Sequence, residues 1–337
     1  MPCYHPLTGL WYGGLTENGK KKYKIVSKDS PISSLAFQKP LEVIEVPCQK
    51  CIGCRLDYSR QWADRCMLEA KQYPKNNNWM VTLTYDPEHI TMRPGANRET
   101  GELELVGTLV PEDLTKFMKD LRRYYKYHHN HENIRFYACG EYGPQTYRPH
   151  YHLIIFNMPL RQEELKYFFS NKEGDKIYLC EKIEKIWGKG QITVGEVTWN
   201  SAAYVARYVM KKQKGKGSKR YYQLLNIKPE FVRMSRKPGI AYKYFEENKE
   251  KIYEADEIII NNKKGEAKII KPCKYYDRLY DLDSPEAMKA IKERRKELAE
   301  ISEKNRLSKT DLDKETYLSL CEQNKIAQIN KLIRNSI

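Results

Sequence analysis

The apolar positions of the chain change rhythm along its length, from a helical period of about 3.6 residues to the alternation of a strand and back, and each change marks an element. In YSRQWADRCMLEAKQY, Trp62, Cys66, Ala70 and Tyr73 recur at helical intervals, so a helix is predicted there, closed by Pro74 and the run Asn76 to Asn78. WMVTLTYD, Trp79 to Asp86, is a short β-branched run bounded by turn residues and reads as a strand. From Pro111, PEDLTKFMKDLRRYYKYH sets Leu114, Phe117, Met118 and Leu121 on one face and Lys and Arg on the other, an amphipathic helix. NIRFYACGE and PHYHLIIFN follow as two strands of a hairpin turned through YGPQTYR. A helix is expected within Leu160 to Phe169 and another just before Trp187. QITVGEVTW alternates as a strand; SAAYVARYVMKK, capped by Asn200 or Ser201, reads as a helix that Gly215 would end.

The order from Trp79 to Lys212 is thus strand, helix, strand, strand, helix, strand, helix, and its first six elements follow the β-α-β-β-α-β pattern. The expected fold class is α+β, with an antiparallel central sheet of ferredoxin-like or split βαβ type flanked by helices. The chain divides into a Cys-rich segment and helix over 1–75, a core over 76–215 and a basic, helical extension over 216–337. Met1 to about Pro47, rich in Gly, Pro, Lys and Ser, is expected to be irregular. Beyond Gly217 the periodicity weakens, except that SPEAMKAIKERRKELAEISEKNR reads as a charged, peripheral helix.

Charge narrows the function. In 337 residues, 60 Lys and Arg face 44 Asp and Glu, a formal net charge of +16. Such an excess favours a polyanionic partner, nucleic acid or an acidic membrane surface. The membrane is the weaker option, because no stretch approaches the roughly 20 apolar residues of a spanning helix. MPCYHPLTGLWYGG also lacks the basic start and apolar run of a secretory signal. Nine cysteines, an odd number in a chain too large to need disulfide staples, suit a reducing cytoplasm.

Two constellations carry chemistry. In YRPHYHLIIF, His150 and His152 stand two residues apart on a strand and so share a face, and Glu141 on the partner strand is near enough in register to join them. Two imidazoles and a carboxylate suit Mn²⁺ or Mg²⁺ as a Lewis acid; the competing reading is two half-exposed histidines of an ordinary sheet. In AAYVARYVMKK, Tyr204, Tyr208 and Lys211 fall at i, i+4 and i+7, one stripe of a helix. Such a stripe usually packs in a core, but a lysine at its end, with Lys212 and Lys214 beyond, fits a phosphate-facing surface better. A tyrosine hydroxyl, with an ordinary pKa of about 10, is a weak nucleophile that a metal and a lysine beside the phosphate would assist.

These residues resemble a known family. RPHYHLIIF resembles the His-hydrophobe-His motif of rolling-circle replication initiators, the HUH endonucleases; YVARYVMKK is similar to their tyrosine motif and VTLTYD to their first-strand motif. The paired tyrosines resemble the form used by microviruses, and MPCYHP followed by VPCQKCIGCR resembles the gokushovirus branch, as does VRMSRKPGI. The resemblance implies an HUH core in which His150, His152 and Glu141 bind metal and Tyr204 and Tyr208 are nucleophiles, with Lys211 at the family's lysine position. It implies nicking of single-stranded, circular phage DNA at an origin through a 5′-phosphotyrosine link, leaving a 3′-OH primer, in the cytoplasm of a bacterial host. Tyr151 departs from the family's aliphatic residue between the histidines, and Arg207 stands where a lysine would follow Tyr204. No Walker-type motif occurs, so a host helicase and polymerase are expected partners. The alternatives are a zinc-dependent nucleic-acid-binding regulator, which leaves the histidines and tyrosines unexplained, and an HUH transposase or relaxase.

Cys48, Cys51 and Cys54 repeat every three residues, with Cys3, His5 or Cys66 to complete a Zn²⁺ site. An iron–sulfur run would want a further cysteine where Tyr58 stands. The run KKQKGKGSKRYY offers Lys212, Lys214, Lys216, Lys219 and Arg220 as a flexible strap over DNA, with Tyr221 or Tyr222 to stack on bases.

Overall fold

A computed structural model of the chain describes residues 3–17, 19–26, 39–171, 174–207, 212, 217–261 and 267–334. The chain forms two units, Met1–Tyr58 with Ala299–Ile337, and Ser59–Leu298.

The first unit opens with strands β1 (Leu7–Leu15), β2 (Lys21–Val26) and β3 (Glu42–Val46), joined as an antiparallel sheet in the order β2-β1-β3. This corrects the expectation of an irregular opening. The glycines that masked the alternation are part of the sheet's packing: a Cβ at Gly9 would come within 2.9 Å of Ile44 across the β1–β3 pair. Helix α1 (Ile52–Ala70) follows the cysteine cluster directly.

The second unit is built on a seven-stranded antiparallel sheet. Along the chain come β4 (Trp79–Leu83), the hairpin β5 (Met92–Ala96) and β6 (Leu103–Gly107), helix α2 (Pro111–His129), β7 (Arg135–Tyr142) and β8 (Pro149–Phe156). There follow β9 (Lys166–Ser170), β10 (Lys176–Leu179), α3 (Glu181–Trp187), β11 (Ile192–Glu196), α4 (Trp199–Arg207), α5 (Ser218–Leu224) and β12 (Phe231–Met234). The spatial order is β12-β7-β8-β4-β11-β10-β9. Strand β8 therefore lies between β4 and β7, and β4 between β8 and β11. The unit closes with α6 (Tyr242–Ala255), the hairpin β13 (Ile258–Asn261) and β14 (Ala267–Ile270), α7 (Lys274–Asp283) and the start of α8 (Pro285–Leu307); α9 (Lys314–Arg334) returns to the first unit. Among the described residues no helix is long and apolar enough to cross a membrane.

The two-residue period of β8 sorts its side chains into two cores. Tyr151, Leu153 and Ile155 pack under Leu114, Phe117, Met118 and Leu121 of α2 and Ile183 and Trp187 of α3. Ile154 and Phe156 face the other way, under Ala202, Val205 and Ala206 of α4 and Ala63 and Cys66 of α1. The amphipathic face read for α2 is the one it buries.

Two local expectations fail. Leu160 to Phe169 is not a helix: a single 3₁₀ turn, Gln162–Glu164, leads into β9, whose five residues are exposed and pair with β10. Leu160 and Leu165 anchor the turn in the core, while the aromatic run Tyr167 to Phe169 suits an edge strand. The α4 cap is Thr198 rather than Asn200 or Ser201. Its Oγ1 accepts from the Ser201 N–H at 3.1 Å while the Ser201 hydroxyl oxygen accepts from the Thr198 N–H at 2.8 Å, a reciprocal capping box. The helix end assigned to Gly215 lies outside the described residues.

Candidate active site

The β7–β8 register sets Glu141 opposite His150 and Cys139 opposite His152. With a period of two on each strand, Glu141, His150 and His152 share one face. Glu141 Oε1 lies 2.7 Å from His150 Nε2 and 3.2 Å from His152 Nε2, and the imidazole rings meet edge to face at 4.8 Å. The carboxylate is 1% exposed. Burial alone would raise its pKa, but hydrogen bonds and charge from His150 and His152 outweigh that and hold it at about 2.

The remaining ring nitrogens are oriented from behind. His150 Nδ1 lies 3.1 Å from the Arg148 carbonyl, which can only accept, so Nδ1 donates there and Nε2 is the nitrogen turned toward Glu141. His152 Nδ1 lies 3.0 Å from Thr82 Oγ1, opposite it in the β4–β8 ladder. Adjacent donors about an octahedral ion at roughly 2.1 Å stand about 3 Å apart, the spacing seen here. The donor set fits one divalent ion. Arg148 and Thr82 were not singled out from sequence, although Thr82 lies within the VTLTYD strand run.

Helix α4 crosses the same face. Ala202, Ala203, Val205 and Ala206 are buried, and two bonds from α1 residues hold the helix: the Ser59 hydroxyl donates to the Ala203 carbonyl at 3.3 Å, and Asp64 accepts from Trp199 Nε1 at 2.7 Å. Tyr204 is 41% exposed, and its ring stands edge to face against His152, centroids 5.2 Å apart at 77°. The first tyrosine and the histidine pair are therefore brought together. Tyr208, Lys211, Lys214 and Lys216 lie outside the described residues.

Tyr151, between the histidines, points into the opposite core. Its hydroxyl donates to the Val110 carbonyl at 2.8 Å and lies 2.8 Å from the Tyr85 hydroxyl. The end of the basic run is not a strap but helix α5, on which Lys219 and Arg220 are exposed; Lys212, before it, is half-buried. Tyr222 cannot stack on a base, because it is buried and donates to Glu230 at 2.5 Å, and Tyr221 packs half-buried against the same core.

In the first unit the sulfurs of Cys3, Cys48, Cys51 and Cys54 all lie within 4.8 Å of one another, Cys3 to Cys51 at 4.0 Å. Backbone N–H groups point at them: Cys48 donates to Cys3 Sγ at 3.2 Å, Cys51 to Cys48 Sγ at 3.3 Å, Tyr4 to Cys51 Sγ at 3.4 Å. Burial pushes the Cys3 and Cys54 thiols up; at Cys48 the N–H donors of Cys51 and Lys50 overcome burial and bring the thiol down. Four thiolates about one ion with metal–sulfur bonds of about 2.3 Å stand about 3.8 Å apart, which these positions fit. The structure favours Cys3 as the fourth member. His5 instead stands 2.5 Å from Glu322, and Cys66 is buried in the other unit's core.

Residues 78–213 match the family described as replication-associated protein ORF2/G2P. The chain is 41% identical over 260 residues to replication-associated protein ORF2 of Spiroplasma virus 4, covering 75% of this chain and 74% of the relative. It is 31% identical over 281 residues to replication-associated protein VP4 of Bdellovibrio phage phiMH2K, covering 81% and 80%. A shorter match, 34% over 169 residues, links it to replication-associated protein ORF4 of Chlamydia phage 1, covering 50% and 38%. No solved structure matches the chain.

Proposed function

The chain belongs to the microvirus replication-associated proteins, a family of phage replication initiators, and from that premise we propose that it is an HUH endonuclease that nicks and rejoins single-stranded DNA at the replication origin. The observation that carries this reading is the meeting of Tyr204 with His152 beside Glu141 and His150, on one face of the sheet. The strand order supports it too: β8 inserted between β4 and β7, and β4 between β8 and β11, is the layout of a split βαβ core.

In this reading Glu141, His150 and His152 hold Mn²⁺ or Mg²⁺, which when bound draws charge from the scissile phosphate. Tyr204 or Tyr208 supplies the nucleophile. Its phenol oxygen bonds to phosphorus, its proton passes to solvent, and the bond from phosphorus to O3′ breaks, the departing oxygen taking up a proton. The products are a 5′-phosphotyrosine link and a 3′-OH that primes synthesis. The second tyrosine cleaves the regenerated origin, and the freed 3′-OH attacks the first link to close a circle. Lys211 neutralises phosphate oxygens during each attack. Cys3, Cys48, Cys51 and Cys54 hold structural Zn²⁺, and Lys212, Lys214, Lys216, Lys219 and Arg220 bear on the DNA backbone. Unwinding and synthesis fall to a helicase and polymerase of the bacterial host, in whose cytoplasm the protein works.

The test uses the full chain, Mn²⁺ and labelled single-stranded oligonucleotides tiling the phage genome. One tile should give a covalent protein–DNA band on a denaturing gel. The band should weaken in Tyr204→Phe or Tyr208→Phe and vanish in the double variant; a band that persists there refutes the nucleophile assignment.

A further inference from the structure

The segment VRMSRKPGI builds a second site. With α2 and the end of β7 it encloses a groove of about 940 Å³, whose lining carries the cationic side chains of Arg122, Lys126, Arg135, Arg236, Lys237 and Lys243 against two carboxylates, Glu69 and Glu132. The two carboxylates offset two of these cations, Arg135 and Lys126, and leave an excess of four. Glu69 accepts from Arg135 and from the Ala241 N–H, and Glu132 pairs with Lys126 at 2.9 Å. Arg236 and Lys237 are exposed. A shallower hollow continues over the β12 edge and adds Lys119 and Arg233.

The layout suits a string of anions rather than one. Lys119, Arg122 and Lys126 lie at i, i+3 and i+7 of α2, one stripe about 10 Å long, and so reach along an axis rather than converge on a point. Half-buried Phe136 and Met234 line both hollows, apolar surface that sugars or bases can cover. Cations on an edge strand such as β12 also deter strand pairing, but that role does not call for cations on α2 facing the same groove.

The groove is distinct from the candidate active site. Arg135 pairs with Phe156, whereas Glu141 pairs with His150, so the two lie at opposite ends of the β7–β8 ladder, about 20 Å apart at six residues of strand. We propose that this groove is a second, sequence-independent seat for the phosphodiester backbone of the same DNA, engaged several nucleotides from the scissile linkage. The proposal rests on the nicking reading for where the strand starts.

The test compares the wild-type chain, the triple variant Lys119→Gln/Arg236→Gln/Lys237→Gln, and a control triple with the same charge loss elsewhere, Lys289→Gln/Arg294→Gln/Lys296→Gln on α8. Fluorescence anisotropy follows binding to strands of 8 and 30 nucleotides around the cut, with the longer one also presented as a hairpin duplex. Wild type should gain affinity on lengthening. The groove triple should lose about tenfold on the longer strand, in one form or both, and its salt slope should fall by about two, at 0.7–0.9 per phosphate contact. Equal losses in the two triples, or an unchanged slope in the groove triple, overturn the proposal. If wild type forms no covalent adduct while the groove triple alone loses long-strand affinity, the nicking reading fails and the groove stands. An adduct in wild type with no groove effect fails the groove alone.

Discussion

His152 shows how much of a candidate metal centre lies behind the side chains that face the ion's place. Its Nε2 faces Glu141 while Thr82 Oγ1 stands at Nδ1, so the threonine holds the ring's orientation. Thr82→Val keeps the strand shape and removes that oxygen; Mn²⁺ affinity, measured by calorimetric titration, should fall about 10- to 100-fold. Wild-type affinity in this variant would remove Thr82 from the support of the site. The same logic applies at Cys51, whose sulfur accepts from Tyr4 and lies against Cys3. Purified protein should carry about one zinc per chain by metal analysis, a tetrahedral four-thiolate site being filled by one ion. Cys51→Ser should lose it; a variant that keeps its zinc counts against the site. Tyr151 makes the converse point. A polar residue between two ligands looks anomalous in a motif, yet period two sends its hydroxyl to the opposite core, where Val110 and Tyr85 satisfy it.

At the scale of elements, what held and what failed follow from where each gets its energy. Helix α2 was legible because its buried residues, Leu114, Phe117, Met118, Leu121 and Tyr125, repeat over about three turns. Strand β9 was not, because its five exposed residues carry no burial pattern and edge pairing with β10 decides it. The C-terminal part of the second unit is tied by ions that no periodicity reveals. Arg295 of α8 donates to Asp256, at the end of α6, and to Asp277 of α7. Burial would raise the Asp256 carboxyl, but Arg295, through hydrogen bonds and charge, and Lys271 bring it below its ordinary value. A carboxyl lowered on folding stabilises fully above its unfolded pKa of about 3.9 and loses that contribution as pH falls through the folded value. Urea midpoints should therefore drop between pH 6 and pH 3, and drop less in Arg295→Met, whose midpoint at pH 6 already lies below wild type. Parallel acid dependences in the two proteins would remove Asp256 from the account.

Over the whole molecule, seven elements between Trp79 and Arg207, namely β4, α2, β7, β8, α3, β11 and α4, were readable because each is a local decision: an alternation, an amphipathic stripe, a turn. Strands β5, β6, β9 and β10, held by their pairing, were not. The candidate ligands were readable too, since a strand's two-residue period puts His150 and His152 on one face and the hairpin brings Glu141 alongside. The opening sheet was not readable, because β1 carries glycines where its neighbours' side chains need room, and β3 lies far along the chain from the strand it joins. Nor was the fourth sulfur, because Cys3 meets Cys48, Cys51 and Cys54 only through that long-range closure. The sequence by itself determined the chemistry available and the local elements that bear it: imidazoles, phenols, thiols and an excess of cations, each on a strand, helix or loop. Only the tertiary structure decided which of these meet. Contacts between Tyr204 and His152, or between Cys3 and Cys51, depend on the closure of loops tens of residues long, whose outcome is set by the packing of both sheet faces rather than by any residue's neighbours in the chain.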